Sequence, residues 1–469
     1  MVFSSSLFLF AFLPLVLGLY FISPKRVKNY VLLIASLVFY AWGEPSFVFI
    51  MIGVVLVDYI SALLIQKFDN KKRMRQCILI LTIIINFGLL AYFKYAGLFV
   101  NTFTSIFSVQ TGFQSPVLPI GISFFTFQAV SYVFDVYMRD VKAQKNPFNV
   151  LLYVSLFPQL IAGPIVRYKT IEKQINSRTH SIEKTSDGLV RFIVGFIKKV
   201  IFANKLALLA DTLLDGSELP CLVAWLGAAA YMLQIYYDFS AYSDMAIGLG
   251  KIFGFDFEEN FNYPYYATSI TDFWRRWHIS LSTWFRDYVY IPLGGNKNGK
   301  YRQIFNMLIV WAFTGFWHGA SWNYLLWGIY YFVLLILEKH LFKNIIEKIP
   351  RAAKWLLTSG FVIIGWVLFR SENLADFATI VGSMFSFRIT NADFNMLSLY
   401  ITSYIWYFLS AAVFAFPIYP WAQKKLCSGI GKTGRVRHLL FLAGLIVVFL
   451  IAICFLVQST YNPFIYFRF

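Results

Sequence analysis

The sequence predicts an all-α integral membrane protein. Three observations carry that prediction: 59% of the 469 residues are hydrophobic and only 14% charged, apolar runs of about 20 residues recur along the chain, and the cations gather in the connectors between them. Soluble domains carry about a quarter charged residues and seldom such long apolar runs. Hydrocarbon offers no water to the backbone, so each run must satisfy its own peptide groups as a helix.

In chain order the expected spans are 3–22, 30–43, 46–66, 77–93, 117–137, 188–210, 221–241, 303–318, 322–340, 355–369, 397–418 and 438–457. About 10 to 12 crossings are expected, together with re-entrant or interfacial helices. The first run, VFSSSLFLFAFLPLVLGLYF, has no basic region before it and no small-residue cleavage site after it, which reads as a retained span. With these boundaries one side of the membrane holds most of the 41 Lys and Arg. The positive-inside rule makes that side cytoplasmic and puts both termini outside. Topology thus accounts for the net charge of +18, with no basic patch of the kind a nucleic-acid partner would need.

Two segments are less regular. Segment 188–210 carries Arg191, Lys198 and Lys205 on one helical face, so lying flat at the headgroups is an alternative to spanning. Segment 148–165, FNVLLYVSLFPQLIAGPI, holds Pro158 and the pair Gly163-Pro164, which predict a re-entrant or broken helix. Cys77, Cys221, Cys427 and Cys454 are scattered, so neither zinc nor a disulfide framework is expected, and no metal site is proposed. The simplest organisation is one membrane domain, 1–469, with its chemistry concentrated in 230–330.

Between residues 237 and 302 polar and charged side chains mix with aromatics. A long segment without a span needs a functional reason in a compact protein. Within it, Thr271 or Asp272 is positioned to cap an amphipathic helix. Phe273, Trp277, Ser280, Leu281 and Trp284 fall on one face, and Arg275, His278, Ser282 and Arg286 nearer the other. GGNKNGKY has the outline of a phosphate loop but places tyrosine where a magnesium-binding hydroxyl belongs. GLGKIFG has the wrong glycine spacing for a dinucleotide loop and reads as close helix packing. No Gly-x-Ser-x-Gly elbow is present, and the histidines are too sparse for a di-iron site.

Among the five histidines, His180, His340 and His438 sit beside charged residues at connectors or span ends, where solvation is ordinary. His278 (WRRWHIS) and His318 (TGFWHGASWN) are flanked by tryptophan. Each reads either as an interfacial or buried structural histidine or as a functional group, because ionisable side chains at membrane depth are costly. An imidazole there suits general-base chemistry, taking the proton of an alcohol that attacks a thioester or ester. Gly315, Gly319 and Ala320 would let substrate approach, while Trp317 and Trp322 exclude water. Arg275, Arg276, Arg286, Lys297, Lys300 and Arg302 form a basic flank suited to coenzyme A phosphates or an acidic carrier protein, or simply to topology and anionic lipid.

The run QIYYDFSAYSDMAIGLGKIFGFDFEENFNYPYYATSITDFWRRWHISLSTWFRDYVYIPLGGNKNG, followed by FTGFWHGASWNYLLWG, resembles the membrane-bound O-acyltransferase family in its alginate O-acetyltransferase branch. LPIGISFFTFQAVSYVFDVY, FPQLIAGPIVRY, GWVLFRSENLADF and the terminal YNPFIYFRF follow in the expected order. A small departure is Ala241, where the branch commonly has glycine. The resemblance implies tilted helices around a thinned centre with a central tunnel from the cytoplasm to the outer face of the bacterial cytoplasmic membrane. By motif, His318 matches the essential histidine of that tunnel and His278 the second family histidine, making both catalytic candidates. Asp238, Asn260, Asp272, Arg275 and Arg286 match other polar positions. Together with Arg276, Trp317 and Asn323 they are the candidates for binding donor or acceptor or for lining the tunnel.

The implied reaction moves an acetyl group from cytosolic acetyl-CoA, a substrate and not a bound cofactor, to an exported polysaccharide such as alginate, with peptidoglycan as an alternative acceptor. Implied partners are an extracytoplasmic serine esterase-type acetyltransferase, the polysaccharide itself, the lipid bilayer and an acyl carrier protein as possible donor. A different class, a transporter or channel with an intramembrane relay, would use Asp58 and Asp135 inside apolar runs. Transporters commonly show paired halves, and the central motif has no second copy.

Overall fold

A computed structural model describes residues 1–215, 219–389, 391–418, 420–421, 432–458, 461–462 and 464–465, with side chains 392 and 432–435 left aside. Cys427 and part of the terminal motif lie outside the described residues. The described residues are helices and connectors without a strand. Six helices are long and apolar enough to cross a membrane: Phe47–Lys67, Lys72–Phe107, Trp322–Leu341, Arg351–Arg370, Asp393–Phe414 and Val436–Gln458. The expected spans at 3–22 and 30–43 form shorter apolar helices, Phe8–Ile22 and Lys28–Ala41.

The N-terminal part comprises α1 (Leu13–Ile22), α2 (Lys28–Ala41), α3 (Phe47–Lys67), α4 (Lys72–Phe107) and α5 (Ile122–Tyr137). At about 1.5 Å per residue, the 36 residues of α4 far exceed the expected 77–93 and outreach the hydrocarbon. Helix α5 is buried along nearly its whole length, which places it inside the protein. Asp58 of α3 accepts from Asn86 Nδ2 at 2.7 Å, and Asp135 of α5 accepts from Tyr288 at 2.6 Å. Each binds one helix to another, and neither is hydrogen-bonded to a histidine.

The proline-rich segment is broken as expected, into α6 (Pro147–Ser155) and α7 (Phe157–Leu160). Protein groups take up the backbone freed by the break: Phe157 N donates to Ser36 Oγ at 3.0 Å, and Gln159 Nε2 donates to the Tyr153 carbonyl at 2.6 Å. After the short α8 (Tyr168–Asn176), segment 188–210 becomes α9 (Ile182–Ile197), a π-helical stretch Lys198–Ala203, and α10 (Asn204–Leu214). Two of its three cations face protein acids, and the third, Lys205, lies over the rings of Tyr407 and Phe455. Arg191 pairs with Asp244 at 2.8 Å and with Glu259, and Lys198 pairs with Asp244 at 2.7 Å.

Helix α11 (Cys221–Ile252) is the axis, buried on almost every side as a helix without a polar face should be. Its contact with α9 is backbone to backbone: a Cβ on Gly188 would lie 2.6 Å from the Gly248 carbonyl, and one on Gly248 would lie 2.5 Å from that of Gly188. The first glycine of GLGKIFG therefore serves helix packing, the small-residue contact common in membranes. Around α11 follow α12 (Ile270–Arg276), α13 (Ile279–Phe285), α14 (Gly299–His318), α15 (Trp322–Ile336), α16 (Lys343–Lys348), α17 (Arg351–Arg370), α18 (Leu374–Met384), α19 (Asn391–Phe414) and α20 (Lys432–Gln458).

Candidate active site

The expected single amphipathic helix across 272–289 is instead two helices with a break at His278. Ser269, not Thr271 or Asp272, caps the first, accepting from Asp272 N at 3.0 Å. His278 has φ of +46°, a left-handed conformation that costs a side-chain-bearing residue energy unless its surroundings hold it. Asn260 does the holding. Its backbone carbonyl accepts from Ile279 N at 3.0 Å, while its Oδ1 accepts from Ser280 N at 3.2 Å and Ser280 Oγ at 2.9 Å. The consequence is a reversal of the predicted face. His278 is 1% exposed and joins the buried side with Phe273, Trp277, Ser280, Leu281 and Trp284, while Arg275, Ser282 and Arg286 stay outside.

The same amide sets the tautomer of the ring. Asn260 Nδ2 donates to Ser243 Oγ at 3.0 Å and its Oδ1 already accepts a backbone N–H, so the orientation of the amide is determined. His278 Nδ1, 3.1 Å from that Oδ1, must therefore donate, which leaves the Nε2 lone pair as the free atom of a neutral ring. That Nε2 is buried without a partner.

His318 ends α14 and is held differently. Trp317, Trp327 and Phe369 meet its ring edge-to-face at centroid distances of 5.0, 4.9 and 5.2 Å. Its buried Nδ1 has no partner. Trp317 also meets His278 at 5.6 Å, so both imidazoles touch one indole. The glycines nearby have a different role from the expected one: a Cβ on Gly315 would lie 2.3 Å from the Tyr324 carbonyl, and one on Gly319 would lie 2.2 Å from the Tyr324 ring. They let α14 and α15 close against each other and do not open a path for substrate. Trp322 is 42% exposed and donates to Thr102 at 3.1 Å, so it does not cover His318.

A cavity of about 90 Å³ reaches His318, lined also by Trp317, Lys94, Ser123, Gly121 and Ile161. A wider one of about 600 Å³, along the second half of α4, shares Lys94 and Leu118 with it. Lys94 and Ser123 were not among the sequence candidates. The signal was present, since a lysine amid LLAYFKYAGLF meets the same test of an ionisable group in an apolar run that singled out Asp58.

The other candidates scatter. Asp238 is buried, accepting from Lys199 Nζ at 2.5 Å and Ile465 N at 2.8 Å, and so ties the C-terminal segment to α11. Asn323 donates to the Ser371 carbonyl at 2.8 Å, joining α15 to the end of α17. Asp272 and Arg276 pair at 2.9 Å, and Arg286 pairs with Asp287 at 2.7 Å. Arg275, Lys297, Lys300 and Arg302 are exposed. Only His278, His318, Trp317 and Asn260 come together as one constellation.

Known proteins share this arrangement of sequence. A model of the membrane-bound O-acyltransferase family matches residues 122–375, which include both histidines. The probable alginate O-acetylase AlgI of Pseudomonas aeruginosa is 46% identical over 391 residues, covering 82% of this chain and 75% of its own. That of Pseudomonas putida is 40% identical with both chains covered in full. The peptidoglycan O-acetyltransferase of Helicobacter pylori is 34% identical over 82% of this chain and 80% of its own. With apolar helices of spanning length and a family match over more than half its residues, the chain belongs to the membrane-bound O-acyltransferase family as a multi-pass O-acyltransferase.

Proposed function

We propose that the protein O-acetylates an exported polysaccharide, using cytosolic acetyl-CoA across the bacterial cytoplasmic membrane. The observation that carries this reading is the His318 ring, buried with an unpartnered nitrogen beside a cavity of about 90 Å³. That volume holds a few waters or a two-carbon acyl group. Similarity to alginate O-acetylases makes alginate the first acceptor to test. The relative acting on peptidoglycan makes that polymer the second.

In this reading His318 is the general base. An acceptor hydroxyl attacks the thioester carbonyl, its proton passes to the imidazole, the carbon–sulfur bond breaks, and the imidazolium returns the proton to the leaving thiolate. His278, with its free Nε2 and its contact with Trp317, orients donor or acceptor. The exposed cations Arg275, Arg286, Lys297 and Lys300 attract the donor phosphates or an acidic carrier protein, on the side that the positive-inside rule makes cytoplasmic. The hydroxyl belongs to the polymer itself or to an extracytoplasmic serine esterase-type partner.

Purified protein in nanodiscs, given radiolabelled acetyl-CoA and alginate oligosaccharides, is expected to release CoA and label the oligosaccharide or such a partner. His318→Ala is expected to do neither. Inert wild-type protein that instead carries ions or solutes in liposomes would overturn the reading in favour of transport.

A further inference from the structure

One buried group has no part in the reaction as described so far. Lys94 lies in the middle of α4 and is 8% exposed. Its Nζ donates to the Trp317 carbonyl at 2.6 Å and to Ser123 Oγ at 3.2 Å. In its protonated form the amine has three donors, so one N–H remains beyond those two bonds, and Lys94 lines both the cavity that reaches His318 and the wider one beside it. Anchoring a carbonyl requires no charge, and a neutral donor would do so at far lower cost at this depth. What does call for a cation next to a general base is the negative charge that grows on a carbonyl oxygen under attack.

We infer that Lys94 is a further catalytic residue, whose remaining N–H donates to the acyl carbonyl oxygen in the cavity shared with His318. This rests on the O-acyl transfer reading. As the acceptor oxygen bonds to the carbonyl carbon, its proton moves to His318 and the carbonyl π pair moves onto the oxygen held by Lys94. As that pair returns, the carbon–sulfur bond breaks, and the thiolate takes the proton from His318. Lys94 gains and loses nothing covalently. Its bond to the Trp317 carbonyl fixes it relative to the next residue in the chain, the base itself.

The test compares wild type with Lys94→Met, Lys94→Gln, Lys94→Ala and His318→Ala in nanodiscs, following CoA release from acetyl-CoA with alginate oligosaccharides present. Melting temperature reports folding separately. The expected fall in kcat is about 100- to 1000-fold for all three Lys94 variants, with KM for acetyl-CoA within about threefold. Glutamine keeps an N–H for the Trp317 carbonyl and is expected to restore the melting temperature but not kcat. Ethylammonium in the buffer is expected to recover part of the Lys94→Ala activity and none of the His318→Ala activity. A folded Lys94→Gln protein turning over at the wild-type rate overturns the catalytic role and reduces Lys94 to an anchor, whether or not the Met and Ala variants fold. Wild-type protein that stays inert with both the oligosaccharides and a serine esterase-type partner present overturns the acyl-transfer reading, and the role of Lys94 with it.

Discussion

The turn at His278 and the turn at His318 place two imidazoles against the same indole, yet they are built on opposite principles. The first is fixed by hydrogen bonds: Asn260 accepts from the ring, from Ser280 and from the backbone of Ile279, and it offsets a left-handed residue. The second has its ring held by aromatic faces, with no polar partner at Nδ1, while Lys94 and Tyr95 hold the backbone carbonyls of Trp317 and Phe316. A ring whose Nδ1 proton is committed has a defined tautomer and a free Nε2. A ring clamped by apolar faces keeps its nitrogens available for a proton in transit. In the proposed reaction the base is His318, whose ring lines the cavity as His278 does not, and His278 is its support.

The largest effect tests that assignment. His318→Ala is expected to lower turnover by about 100- to 10,000-fold with an unchanged melting temperature, measured as acetyl transfer in nanodiscs. His278→Ala is expected to cost less than that, and the reverse order would break the comparison. Asn260→Leu attacks the hydrogen-bonded turn alone. It leaves buried donors of His278 and Ser280 unpaired, and a loss of roughly 1–3 kcal/mol in stability is expected, readable as a lowered melting temperature together with lowered activity. Gly315→Ala attacks the other turn, since its Cβ would meet the Tyr324 backbone at 2.3 Å. Forced separation of α14 and α15 should cost about 1–3 kcal/mol and loosen the clamp on His318. Equal stability to wild type would show that the hairpin tolerates the shift. The smallest effect belongs to the exposed flank: Arg286→Ala should change stability by less than about 1 kcal/mol. It should raise KM for acetyl-CoA modestly and weaken its dependence on salt if the flank receives phosphates.

Legibility in the sequence followed the kind of evidence each feature leaves. Both histidines were visible because an imidazole between tryptophans is rare and ordered motifs surround it. The break at Pro158 was visible because proline cannot continue a helix. The break at His278 was not, since nothing in WRRWHISLS forbids a helix, and the left-handed turn exists only because Asn260, some way off in sequence, supplies its hydrogen bonds. Segment 188–210 was ambiguous for a related reason: Arg191 and Lys198 looked free until Asp244 and Glu259 closed on them. Gly315 and Gly319 were assigned to substrate access because a short sequence window does not contain Tyr324 as a packing neighbour.

The sequence by itself determined that this is a helical membrane protein, which histidines are the candidates for its chemistry and which family it resembles. Those follow from composition, period and motif, which are properties of the chain before it folds. Only the tertiary structure decided which nitrogen of His278 is committed, that His318 is clamped without a polar partner, and that Lys94 shares its cavity. The physical reason is that a tautomer, a clamp and a shared cavity are set by groups from α4, α5, α11, α14 and α17 meeting in space, and hydrophobic periodicity carries no record of which side chains will meet.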